Sequence, residues 1–168
     1  MIYAGTGSRQ TPVDVCDHME YCAAWFARHG FVLRSSRKEG AETAFEHGCD
    51  DVGGAKEIFL PWAGFNNSSL FYSNNPERLP DIAFATAAKF HPAWESLPPS
   101  VKILVACETC QVLGTDCKSP ADFVLCWTPD GGGIEQVLRI AQSYAVPVFN
   151  MAEPGWKGAL RRLLGMPC

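Results

Sequence analysis

The chain opens Ile2-Tyr3-Ala4-Gly5-Thr6-Gly7-Ser8-Arg9, followed by Gln10-Thr11-Pro12. A short apolar run breaks into two glycines, two hydroxyls and an arginine ahead of an amphipathic stretch, which predicts a strand, a phosphate-type loop and a helix. Glycine lets the backbone turn tightly and approach a ligand closely. N–H groups at the start of the next helix, together with the Arg9 guanidinium, favour an anion. A short Gly-x-Gly also marks an ordinary tight turn with a surface arginine, so the stretch gains its weight from what lies around it.

Downstream, Pro12 reads as a first helical residue with Thr11 as its N-cap, and Cys16, Met19, Cys22, Ala23, Phe26 and Ala27 recur at helical spacing up to Gly30. Further strands are expected at 31–35, 56–60, 122–127 and 146–150, and further helices at about 41–48, 81–94, 100–113, 134–144 and 156–164. Residues 62–80 form a long loop rich in aromatics and asparagine; a loop of that length in a compact domain is functional or disordered. Alternating strands and helices predict one α/β domain over residues 1–168, with a mostly parallel sheet flanked by helices. Ligands of such sheets bind outside the carboxyl ends of the strands. The loops at 5–9, 35–40, 61–65 and 127–133 should therefore share one rim.

Composition narrows the function. The 168 residues are 47% hydrophobic, enough for one domain with its own core. A net charge of −4 argues against a nonspecific grip on long nucleic acid, while the cluster of Arg34, Arg37 and Lys38 suits a small anion. No apolar run reaches membrane-spanning length, and the first strand meets glycine and arginine at once, so a cytosolic protein is expected. Of the eight cysteines, Cys16, Cys22 and Cys126 fall on apolar faces. Cys107-x-x-Cys110, with Cys117 beyond it, lies inside a helical stretch and lacks the spacing of a zinc finger. Most cysteines read as reduced thiols, the four histidines as scattered, and neither a metal nor a cofactor is expected.

Three acidic residues are candidates for chemistry. Glu42 and Glu46 lie four apart on one helix face, and Glu135 sits at the mouth of Gly131-Gly132-Gly133. A carboxylate on the rim either bonds ribose hydroxyls, acts as a general base, or sits solvated at a helix end. Trp62, Phe65, Phe71 and Tyr72 are placed to stack a base, with Asn66 and Asn67 reading its edge, or else to fold the loop back on the domain. Trp127 has the same two readings.

Several motifs combine into a recognisable set: Gly7-Ser8-Arg9 with Thr11-Pro12, Leu33-Arg34-Ser35, Gly40-Ala41-Glu42, Ala44-Phe45-Glu46, Glu57-Ile58-Phe59-Leu60-Pro61-Trp62, Gln111-Val112-Leu113-Gly114, and the block 122–150. Together they resemble the SLOG superfamily, which groups the DNA-processing protein DprA/Smf with the LOG proteins, and most of all its small stand-alone phage-type DprA-like members. The resemblance implies a Rossmann-like fold, a homodimer and a nucleotide-derived ligand. Where relatives carry Ser-Gly-Gly-Ala-x-Gly-Ala-Asp, this chain has Ser35-Ser36-Arg37-Lys38-Glu39-Gly40-Ala41-Glu42, and Cys107-Glu108-Thr109 stands near the relatives' Arg-Asn pair. The position of the catalytic glutamate of LOG phosphoribohydrolases is Arg139.

The expected ligand site thus collects Gly5, Thr6, Gly7, Ser8 and Arg9; Ser35, Ser36, Arg37, Lys38, Gly40 and Glu42; Trp62, Phe65 and Asn66; and Trp127, Thr128, Gly131, Gly132, Gly133 and Glu135. In the leading reading it holds a nucleotide-derived anion without cleaving it; for a phage protein, this means sequestering an immune signal in the host cytoplasm. The alternatives are a nucleotide-cleaving hydrolase using Glu42 or Glu135, and a DprA-like binder of single-stranded DNA.

Overall fold

The computed structural model describes residues 1–67 and 79–166. Five strands form one sheet: β1 (Ile2–Gly7), β2 (Val32–Ser35), β3 (Lys56–Ile58), β4 (Phe123–Trp127) and β5 (Val148–Asn150). Their order is β3-β2-β1-β4-β5 and every pairing is parallel, with Tyr3 opposite Leu33 on one side and Phe123 on the other. This is a Rossmann-like α/β sheet flanked by helices, as the sequence predicts. All five carboxyl ends lie along one edge, and the order reverses between β1 and β4.

Six helices cover the faces: α1 (Val13–Arg28), α2 (Ala41–Asp50), α3 (Asp81–Phe90), α4 (Pro99–Leu113), α5 (Glu135–Ser143) and α6 (Trp156–Leu163). Alternation along the strands divides the core in two. Tyr3, Leu33, Phe123 and Leu125 face α1, α2 and α6 through Met19, Phe26, Phe45 and Leu160, whereas Ala4, Val124 and Cys126 face α3, α4 and α5 through Ala83, Ala106, Cys110 and Ile140. The first core is aromatic, with the Tyr3 ring 5.5 Å from Phe123 and 4.8 Å from Phe26. Among the described residues no helix is long and apolar enough to cross a membrane.

Small residues permit the tight joins. A Cβ on Gly5 would stand 2.7 Å from the Phe45 ring, and one on Gly48 only 2.0 Å from the Glu20 carbonyl oxygen, so glycine is what lets α2 lie on both β1 and α1. Gln111 reaches from α4 under the sheet edge and donates through Nε2 to the Gly5 carbonyl at 2.9 Å and the Arg34 carbonyl at 3.4 Å.

Several expected boundaries move. Pro12 itself is the N-cap, and Thr11 donates its hydroxyl to the Ser8 carbonyl at 2.6 Å, closing the turn rather than capping α1. α3 stops at Phe90 because Pro92 disfavours helix at the residue before it, and Trp94–Ser96 forms a separate 3-10 turn. β3 ends at Ile58, although the Phe59 N–H still donates to the Ser35 carbonyl at 2.9 Å.

Candidate functional site

The turn at 7–11 is closed by its own serine. Ser8 Oγ accepts the Gln10 N–H at 3.1 Å, and the Ser8 N–H donates to the Trp127 carbonyl at 3.1 Å, which fixes the end of β1 against β4. Across the rim, the loop at 35–40 is built around a buried carboxylate. Glu42 is 0% exposed and accepts from the Thr6 hydroxyl at 3.0 Å, from the Ser36 N–H at 2.9 Å, from the Ser36 hydroxyl at 2.7 Å and from the Lys38 N–H at 3.1 Å. The Lys38 ammonium stands 3.4 Å from the same carboxylate. Every lone pair of Glu42 is thus engaged in shaping the loop, and none is turned to a ligand.

Glu46 does the same one turn further along α2. It accepts from the Ser35 hydroxyl at 2.6 Å and from the Arg37 guanidinium at 2.8 Å, with the Lys56 ammonium 4.0 Å away. Burial pushes its carboxyl above the ordinary value, an effect that the Ser35 hydrogen bond and the Arg37 and Lys56 charges only partly offset. Arg37 takes a left-handed backbone (φ 60°), which is rare outside glycine and is held here by Ser35 Oγ on its N–H and Asn66 Nδ2 on its carbonyl. Gly40 locks this loop to the first: its φ is 85°, and a Cβ there would stand 2.8 Å from the carbonyl oxygens of both Ser8 and Arg9.

The rim carries a cavity of about 380 Å³ lined by Gly7, Ser8, Arg9, Gln10, Lys38, Val101, Leu104, Val105, Glu108 and Gly133. Its volume falls in the range of small-ligand sites, and it lies where the strand order reverses. Lys38 is buried and donates to Glu108 Oε1 at 2.8 Å. Burial alone would lower the Lys38 pKa, but the Glu42 and Glu108 carboxylates outweigh it and raise it above its usual value, so the ammonium stays charged. The Arg9 side chain is exposed and has no carboxylate within ion-pair distance among the described residues.

Of the expected residues, Gly7, Ser8, Arg9, Lys38 and Gly133 come together on this cavity. Gly5 and Thr6 are buried within the sheet, and Ser35, Ser36, Arg37, Gly40 and Glu42 make up the loop behind it. Phe65 is buried against Ile58 and Leu60, with Trp62 edge-on at 5.2 Å, so the described start of the aromatic stretch folds back on the domain. Phe71 and Tyr72 lie outside the described residues, as does the side chain of Asn67. Trp127 ends β4 opposite Gly7, and the Asn150 side chain ties Thr128 to β5, accepting its N–H at 3.1 Å and donating to its carbonyl at 2.7 Å. Gly131 and Gly132 belong to a loop bonded to itself through Thr128 and Asp130, and Glu135 is exposed in the first turn of α5, away from the cavity lining.

Gln10, Val101, Leu104, Val105 and Glu108 line the cavity without having been singled out as ligand contacts. The α4 residues recur at i, i+3, i+4 and i+7, one stripe ending in an acid, which is the sequence signal that could have found them. All seven cysteines among the described residues are free, and those residues contain no group of three or more His, Cys, Asp or Glu side chains that could hold a metal ion.

No protein-family model matches the chain, and no curated protein matches it in sequence. Two solved structures of the molybdenum cofactor carrier protein from Chlamydomonas reinhardtii do match in fold, each with a TM-score of 0.52. One is 15% identical, covering 98% of this chain and 86% of the carrier; the other is 14% identical, covering 98% and 85%. At these identities the likeness is one of fold.

Proposed function

We propose that the protein binds a small nucleotide-derived ligand in the rim cavity and retains it unchanged. The observation that carries this reading is the cavity at the point of strand reversal, walled by the backbone of the Ser8 turn and by an Arg9 guanidinium with no acidic partner among the described residues. A phosphate there meets the Arg9 guanidinium and the Ser8 hydroxyl, since the N–H groups of Ser8, Gln10 and Thr11 are already bonded to Trp127 or within the turn. Arg37 and Lys38 do not add to the cradle as open charges, since each is paired to a glutamate. The expected general bases, Glu42 and Glu135, are respectively buried in the loop and off the cavity, which favours holding over cleavage. A distant fold likeness to a carrier of a small cofactor agrees with that in a general way. In the form suggested by the phage-type resemblance, the ligand is a nucleotide signal of host defence, withdrawn in the host cytoplasm.

The reading includes a second copy of the chain. A groove of about 480 Å³ runs between α1 and α6, floored by Trp25, Phe26, Trp156, Leu160 and Leu164, with Tyr21 70% exposed at its lip. Asp14 and Asp17 extend its α1 wall by helical spacing, and Lys157 and Arg161 line its α6 wall. None of these four has an ion-pair partner among the described residues. An apolar floor between an acidic and a basic wall is self-complementary under a two-fold axis.

The test is to mix the protein with a panel of mono-, di- and cyclic nucleotides, filter, denature the retained protein and analyse both fractions by mass spectrometry. One compound should leave the filtrate and return intact on denaturation, and Arg9→Ala should weaken its retention about tenfold or more. A panel left wholly in the filtrate defeats the proposal. Return of base or cleaved phosphate shows an enzyme instead, with Glu108 the carboxylate to replace first.

A further inference from the structure

The cavity is not uniformly suited to an anion. Its first-loop end offers the Ser8 turn and Arg9, but its α4 wall offers Val101, Leu104 and Val105 ending in the carboxylate of Glu108. Glu108 Oε1 is committed to the Lys38 ammonium at 2.8 Å, and the Glu108 side chain is 13% exposed. Oε2 has no protein partner among the described residues and is not sealed from the cavity. Lys38 is itself fixed by Glu42 at 3.4 Å, so the Glu108 carboxylate is held in place by a chain of charges running back into the core. A ligand phosphate placed beside Oε2 would be repelled, whereas a group that donates two hydrogen bonds would be received.

We infer that Glu108 is a specificity-determining residue that accepts the vicinal hydroxyls of a ribose, so that the cavity takes a ribonucleotide in preference to its deoxy counterpart, with the phosphate on the Ser8 turn and the apolar stripe of α4 beneath the sugar and base. This rests on the proposed nucleotide binding and adds to it the sugar and the residue that reads it. Acidic residues serve ribose hydroxyls in other dinucleotide-binding sheets, where they follow β2. Here the carboxylate comes from α4, while the acid that follows β2, Glu42, is consumed by its own loop. Lys38 is a positioning residue in this arrangement: it holds Oε1 at 2.8 Å so that Oε2 remains free.

The test measures calorimetric affinities for the four ribonucleoside 5′-monophosphates, their 2′-deoxy forms, ribose 5-phosphate and inorganic phosphate. The wild-type chain should prefer the ribo form of its best ligand by about tenfold or more, the range for a hydrogen bond to a charged group. In Glu108→Ala and Glu108→Gln that ratio should collapse toward one while affinity for the deoxy form is retained, and retention of the deoxy form also shows that the variants are folded. Equal wild-type affinity for ribo and deoxy forms overturns the assignment, as does a ratio that survives in Glu108→Ala. Inorganic phosphate binding as tightly as any nucleotide overturns the sugar contact but leaves the anion cradle standing. If no compound of either set binds the wild-type chain, this inference is overturned, and the nucleotide reading falls with it when the di- and cyclic nucleotides of the wider panel also stay in the filtrate.

Discussion

Glu42 shows how one side chain decides what its neighbours can do. Taking a carboxylate out of water costs several kcal/mol unless its lone pairs are met, and here two hydroxyls, two backbone N–H groups and an ammonium meet them. Its removal should therefore be a stability event before it is a functional one. Glu42→Gln is expected to cost about 3 kcal/mol in urea denaturation, because the amide's –NH₂ faces donors and Lys38 keeps only Glu108. Glu135→Gln, on an exposed helix turn, should leave the denaturation midpoint unchanged. Equal effects from the two would contradict the buried network. The sequence showed both acids on the rim side of their helices but not their depth. Helical spacing reports the face on which a side chain lies, whereas depth depends on the loop folded over it. The same holds for Lys38: its partner Glu108 is 70 residues away, and no local pattern relates them.

At the scale of elements, what was legible was periodicity. The strand and helix sequence, the parallel sheet and the shared rim all follow from alternating runs, since burial on both faces leaves near-continuous apolar strands. The helical packing was less legible. α1 and α2 form the most extensive helix pair, and their approach depends on Gly48, whose missing side chain makes room for the Glu20 backbone. Gly48 lies in the last turn of α2 with helical geometry, where alanine has the better propensity, so an isolated-helix argument predicts a gain from Gly48→Ala. The crossing predicts the reverse, a loss of about 2 kcal/mol or more from overpacking against backbone that cannot rotate aside. Thermal denaturation decides between them by its sign. The α4 stripe was no more legible: nothing in the types of Val101, Leu104 and Val105 sets them apart from core residues, and the fold alone shows that they border a cavity with the Ser8 turn.

For the whole molecule, the first question is whether it works alone. Sedimentation velocity should give about twice the chain mass of 18.4 kDa. Lys157→Glu with Arg161→Glu should shift the protein toward monomer, and adding Asp14→Lys with Asp17→Lys should restore the pair, because the swap reinstates opposite charges across the two-fold contact. A dimer indifferent to both sets would lie on another face. One feature of the rim bears on how such a protein can change. The Ser8 turn and the charged loop are keyed together at Gly40, where a Cβ would stand 2.8 Å from both the Ser8 and Arg9 carbonyl oxygens, so neither loop can be redrawn without the other. Helix α4 is outside that lock. In the course of descent, or in a designer's hands, the half of the cavity walled by the Ser8 turn is an inheritance that tolerates little revision, while the wall of Val101, Leu104, Val105 and Glu108 can be rewritten one side chain at a time.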